Sequence, residues 1–375
     1  MAQVFDINLR DSQYTPALMI EPEKFDVAAY EAYEQDLLER NLAFMQAERG
    51  LLVYRRMRAD GVFYHKSKDH HESLALQLGV LEKSKYYKAD IANFLEPWYG
   101  IGYIASAFGG DYIWHENQAP AVEPLFTSSA ELLRAEPIPL HKSRLGKIIL
   151  ERIEYFLDKT QGRVPVSYCD IQAPVNMLSY LMPMNNMCLE VFDDIESLKK
   201  AAALVNGLLI EFLQVQKELI GGALAKPGHG FPSSRVFEGA GESTDNVLMF
   251  SDEHFREIFQ GEHERLGDIF GGVVFHSCGN WAEKAPMVRD FRNTIMVDGA
   301  FSPATDPSPN RPDDFERVFR KTGIVVNARC VGPADEVFPY FEKLINPGMK
   351  VIATTYCQDP DDQSKLYDRL HALLC

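Results

Sequence analysis

The sequence predicts an α/β fold, a (β/α)8 barrel preceded by a helical extension, and three observations carry that reading. Four strand–helix units of roughly 25–30 residues follow one another in the last third of the chain. Their strands are continuously apolar rather than alternating, as strands buried on both faces by helices are. The length, 375 residues, suits one barrel with additions. The expected organisation is a single domain over 1–375, with an extension over about 1–50 and the barrel over about 51–375.

The elements follow in chain order. The stretch FDVAAYEAYEQDLLERNLAFMQAERG, within the first 50 residues, reads as helix packed outside the barrel. DIANFLEPWYGIG (90–102) reads as a strand running into a loop, and GKIILERIEYFLDKT (146–160) as an amphipathic helix before the strand GRVPVSYCD (162–170). Residues 191–222 form one long helix or two abutting ones. The Gly/Pro-rich piece 226–246 is too long for an ordinary barrel connection and is expected to be a loop covering the site. Then come the strand 271–278, helix 281–291, strand 293–300 and helix 312–323, which Gly323 stops. Strand 324–330, helix 334–346, strand 349–357 and helix 361–374 close the chain. Six or seven strands can be counted, so eight is an inference from the rhythm.

Composition narrows the function classes. Hydrophobic content of 46% and charged content of 25% are those of a globular protein. The formal net charge of −16 disfavours nucleic acid and anionic membrane, which need clustered Lys and Arg. The densest basic run is YRRMR at 54–58. No apolar run approaches the roughly 20 residues of a membrane span, and MAQVFDINLRDSQY lacks the basic and apolar regions of a secretory signal. A cytoplasmic protein is expected. Six cysteines without a CxxC pair point to buried thiols, metal ligands or nucleophiles rather than a disulfide framework.

Barrel enzymes place their chemistry at the C-terminal ends of the strands. The expected strand ends carry Cys169 and Asp170, His276 and Cys278, Asp298, Cys330, and Cys357. His276 and Cys278, two residues apart, leave one face of an extended strand. Zinc commonly takes such ligands and keeps an open position where it is catalytic. Cys357, on the last strand, neighbours the first strand of a closed barrel and competes with Cys330 as third ligand. A packed structural His–Cys pair is the alternative. Asp170, Asp298, Asp90 and Asp245 have helix capping or loop hydrogen bonds as their plain roles. Trp98, Tyr99 and Tyr103 are core or the wall of a planar ligand's site.

FHSCGNW, with the preceding STDNVLMFSDEHFREIFQGEHERLGDIFGG, resembles the uroporphyrinogen decarboxylase superfamily. That group includes tetrapyrrole decarboxylases and zinc-dependent methyltransferases working with corrinoid proteins. The likeness runs from about Asp90 to the C-terminus and is strongest over 242–300. KADIANFLEPWYGIG resembles the segment bearing an Asp in the decarboxylases, and SYCDIQAPVNMLSYLM resembles the relatives' strand-to-helix turn. The resemblance implies a (β/α)8 barrel with zinc on His276, Cys278 and Cys357, although CQDPDDQ departs from the Gly/Pro-rich segment that follows this cysteine in relatives. It implies Asp245 and Asp298 as hydrogen-bonding groups at the mouth and Asp90 as a counterpart of the decarboxylases' catalytic Asp. Trp98, Tyr99, Asp170 and Asn280 are the expected substrate contacts. The implied function is methyl transfer between a methylated corrinoid (cobalamin) protein and a zinc-activated thiol or similar small-molecule acceptor, in a possible homodimer. Uroporphyrinogen decarboxylation ranks second, because YRRMRADGVFY does not reproduce that branch's Arg-Gln-Ala-Gly-Arg-Tyr motif. A non-catalytic corrinoid or small-molecule binding protein is the third reading.

Overall fold

The computed structural model describes residues 15–115 and 118–374, so the N-terminal segment read for a signal and Cys375 lie outside the described residues. The strands are β1 (Gly50–Arg55), β2 (Val166–Ser167), β3 (Leu224–Ala225), β4 (Ala240–Ser243), β5 (Val273–His276), β6 (Thr294–Ala300), β7 (Val325–Cys330) and β8 (Lys350–Thr355). Six of them form one parallel sheet in the order β1-β8-β7-β6-β5-β4. First and last strands are neighbours, with Gly50 opposite Lys350 and Arg55 opposite Thr355.

Irregular segments carry the pairing onward. Asp90 donates its backbone N–H to the Val53 carbonyl at 2.7 Å, Leu95 bridges Val166 in parallel, and Gln172 bridges Ser243. β2 pairs with β3 beside this path. The result is a TIM-barrel-like fold in which the segment 90–95, β2 and its following turn bridge from β1 toward β4.

Alternation along the strands sorts the side chains into two cores. Leu52, Tyr54, Val274, Met296 and Ile352 pack inward with Phe94 and Phe231. Their neighbours Leu51, Val53, Val273, Phe275, Val297, Val326, Ala328 and Val351 point outward into the larger core beneath the helices. Among the described residues the extension holds a 3-10 turn, Pro22–Lys24, and the helix Val27–Gln46, capped by Asp26, whose side chain accepts from the Ala29 N–H. Its Phe44 joins the inner core near Gly50, at the N-terminal end of the strands.

Helices Arg144–Thr160, Ala334–Leu344 and Pro360–Ala372 lie where the sequence places them, whereas the helix from Pro312 ends at Phe319, short of Gly323, so Gly323 does not stop it. The stretch expected as one or two helices resolves into Met184–Asp193 and Ile195–Ile220, broken at Asp194, which caps the second through the Ser197 N–H. The loop expected over 226–246 is shorter than expected, because residues 240–243 are β4. No described helix is long and apolar enough to cross a membrane.

Candidate metal centre and adjoining cavity

β5 ends on His276, and the chain turns through Ser277 and Cys278 to Gly279, whose φ of +69° only glycine adopts readily. This turn folds Cys278 back so that its Sγ lies 3.5 Å from His276 Nε2. Asp245, just after β4, places Oδ1 at 3.5 Å from the same nitrogen. The three donor atoms all fall within 4.8 Å of one another. Asp245 is held there by the Cys278 backbone N–H at 2.8 Å and by Asn176 Nδ2 at 3.1 Å.

The other ring nitrogen of His276 is fixed from behind. Asp298 on β6 sits directly across the ladder from His276, with Oδ2 2.5 Å from Nδ1. Asp298 is itself buried and is held by Arg329 Nε at 3.0–3.1 Å and by Asn327. A carboxylate on one ring nitrogen sets the tautomer and aims the other at an ion. Burial opposes a charge on His276, but Asp298 and then Cys278 outweigh it and raise its pKa well above the usual histidine value. One nitrogen, one sulfur and one carboxylate oxygen converging beside open space fit a zinc site with three protein ligands.

Cys357 and Cys330 are not brought to this cluster, contrary to the expectation for the third ligand. Cys330 follows Val326 and Ala328 on the outward face of β7, and Cys357 follows Val351 and Ala353 in the same phase. Both pack in the outer core, and burial pushes the Cys357 thiol up to about 12 and the Cys330 thiol well above its usual value. Cys357 Sγ lies 3.8 Å from the Gly332 carbonyl. Asp245 stands as third donor instead.

His276 also lines a cavity of about 330 Å³, together with Asp298, Arg329, Trp98 and Asp170. Trp98 Nε1 donates to Asp170 at 3.1 Å, so two of the expected substrate contacts meet here. The loop after β3 does reach the cavity, through His229, Gly230 and Phe231. His229 lies 3.0 Å from Glu96 and 3.3 Å from Asp170. Burial would raise the Glu96 carboxyl, yet His229, Arg58 and Arg56 together hold it far below the usual carboxylate range.

Three expected residues lie elsewhere. Tyr99 packs against Tyr112 and Trp114 in the outer core. Asn280 is exposed and accepts from the Ala282 N–H. Asp90 is fully buried beside β1 and is occupied by the Val53 N–H, Tyr367, His371 and Arg40. That set of partners makes it a fastener of helices to the barrel, not a cavity group. Conversely, sequence reading missed Arg58, Arg329, His229 and Phe231. Arg329 had a signal: it alternates with Asn327, so the polar face of β7 is the inner one.

A family model described as uroporphyrinogen decarboxylase (URO-D) matches residues 28–306. Among solved structures, a methyltransferase from Methanosarcina mazei is similar, with a TM-score of 0.63 at 15% identity over 90% of this chain and 98% of that one. No curated protein matches.

Proposed function

The chain belongs to the uroporphyrinogen decarboxylase family, and on that premise we propose that it is a methyltransferase moving a methyl group between a methylated corrinoid protein and a zinc-activated thiol or similar acceptor. The convergence of His276, Cys278 and Asp245 beside the cavity is the observation that carries this reading. The similar methyltransferase from Methanosarcina mazei is in keeping with it.

Bound at these three residues, zinc supplies a Lewis acid that lets a thiol bind as thiolate near neutral pH. The chain's own residues do the rest. Asp298 keeps the proton of His276 on Nδ1, leaving Nε2 for the ion, and Arg329 holds the Asp298 charge in place. Asn176 and the Cys278 amide prevent Asp245 from swinging away. The aromatic and charged cavity walls orient the acceptor beside His276.

Porphyrinogen decarboxylation has less support from the cavity. Arg55 lies outside the cavity lining, with Nε on the Cys357 carbonyl at 2.6 Å, and Arg56 is matched by Glu96 at 3.9 Å. A non-catalytic binding role would suit a His276 sealed behind side chains, whereas the cavity reaches it.

Metal analysis tests the reading. Purified protein should carry about one zinc per chain, lost in His276→Ala, Cys278→Ala and Asp245→Ala but kept in Cys330→Ala and Cys357→Ala. The zinc-loaded protein should methylate a simple thiol from methylcobalamin. Zinc that is absent, or that survives removal of His276 or Cys278, would sink the mechanism.

A further inference from the structure

Three arginines line the cavity, and two of them have their charge matched. Arg56 lies 3.9 Å from Glu96 and Arg329 lies 3.0 Å from Asp298. Arg58 differs. Among the described residues no carboxylate stands within ion-pair distance of it, and its Nε, shielded from solvent, has no hydrogen-bond partner. One face of its guanidinium lies over the Phe63 ring at 4.3 Å. Burial first, and then the like charge of Arg56, pull its pKa below the usual arginine value.

A guanidinium partly withdrawn from water, with Glu96 and Asp170 nearby but neither within ion-pair distance, is costly to the empty protein. A carboxylate that meets its fork in bidentate geometry removes that cost. The surroundings set the remaining shape. Phe63 meets Trp98 edge-to-face at 5.6 Å, and Tyr64 and Phe231 also line the cavity. At about 330 Å³ the space is near the lower end of small-molecule sites, room for roughly one substituted ring.

We propose that this cavity takes a single-ring aromatic carboxylate, with the carboxylate on Arg58, the ring between the aromatic walls and the opposite ring substituent turned toward His276. The inference rests on reading the cavity as the reaction site, and it names the class of small molecule that this reading leaves open.

Calorimetry on the full chain, with benzoate as probe, tests it. Benzoate should bind at least tenfold more tightly than benzyl alcohol, which lacks the charge, and than acetate, which lacks the ring. Arg58→Gln should weaken benzoate at least tenfold and leave benzyl alcohol within twofold, with its zinc content unchanged. Arg58→Lys should recover part of the loss, and Phe63→Leu should lower the preference for benzoate over cyclohexanecarboxylate. The proposal is overturned if benzoate does not bind wild-type protein at 10-millimolar levels, on the order of the weak limit of useful affinity. It is overturned equally if benzyl alcohol or acetate matches benzoate, or if Arg58→Gln changes nothing. Arg58-dependent benzoate binding in a protein without zinc would remove the methyltransferase reading and keep the proposal. Zinc-dependent methyl transfer without benzoate binding would do the reverse.

Discussion

Asp90 illustrates how a buried carboxylate can look catalytic in sequence and be structural in space. Its oxygens accept from the Val53 N–H at 2.7 Å and Tyr367 at 2.6 Å, with His371 at 2.9 Å and Arg40 beside them. Burial raises its pKa, but these partners win and hold it below the ordinary value. A depressed carboxylate stabilises the fold above its unfolded pKa of about 3.9, and that contribution fades as pH falls through the lower folded value. Asp90→Asn should therefore cost about 2 kcal/mol at neutral pH, the scale of hydrogen bonds to a charged group, with much of the Arg40 contribution screened by its exposure. Urea titrations at several pH values should show the wild-type advantage shrinking below about pH 4; parallel curves for the two proteins would contradict this. The candidate metal ligands teach the matching lesson. The sequence places His276 and Cys278 at a strand end, but their spacing alone suits a packed pair as well as a metal site. Cys330 and Cys357 also stand at strand ends, but in the outward phase. Asn327 and Arg329 mark the inner face of β7, which turns Cys330 outward. A shift of one residue reverses every side chain of a strand.

At the scale of elements, the C-terminal units were readable because each strand is apolar and each helix is amphipathic and long enough to show its period. β4 was not. Its four residues, Ala-Gly-Glu-Ser, have little strand preference, and pairing with β5 is what extends them. β1 was hidden by the polar Arg55 and Arg56 that end its apolar run, side chains a barrel mouth can accommodate. The segment 90–95, which the sequence reads as the start of a strand, makes only scattered ladder contacts and forms no regular strand. Packing overrides propensity elsewhere too. Gly79 lies within the helix His70–Ser84, where alanine would gain about 1 kcal/mol of helix propensity. A Cβ there would stand 1.9 Å from the Leu18 carbonyl oxygen, which is backbone and cannot rotate aside. Gly79→Ala should destabilise by about 1–3 kcal/mol, the usual range for overpacking, and lower the Tm. An unchanged or raised Tm in a thermal melt would show that the 18–20 segment yields freely.

At the scale of the whole molecule, charge and cavity pull in opposite directions. The chain carries a formal net charge of −16, while Arg56, Arg58 and Arg329 are gathered inside the cavity. An approaching carboxylate meets a repelling field at long range before it feels the guanidinium at contact. Salt shortens the reach of that field, with a Debye length of about 30 Å at 0.01 M and about 10 Å at 0.1 M. Stopped-flow binding of benzoate should therefore accelerate as salt rises over this range, the reverse of ordinary electrostatic steering; slowing with salt would mean that the mouth's own positive field dominates. The placing of Arg58 inside the cavity of an acidic chain thus has a kinetic meaning. Arrival of an anion is throttled by the surface, and its residence time is set by Arg58, so turnover at low substrate would be governed by ionic strength as much as by concentration.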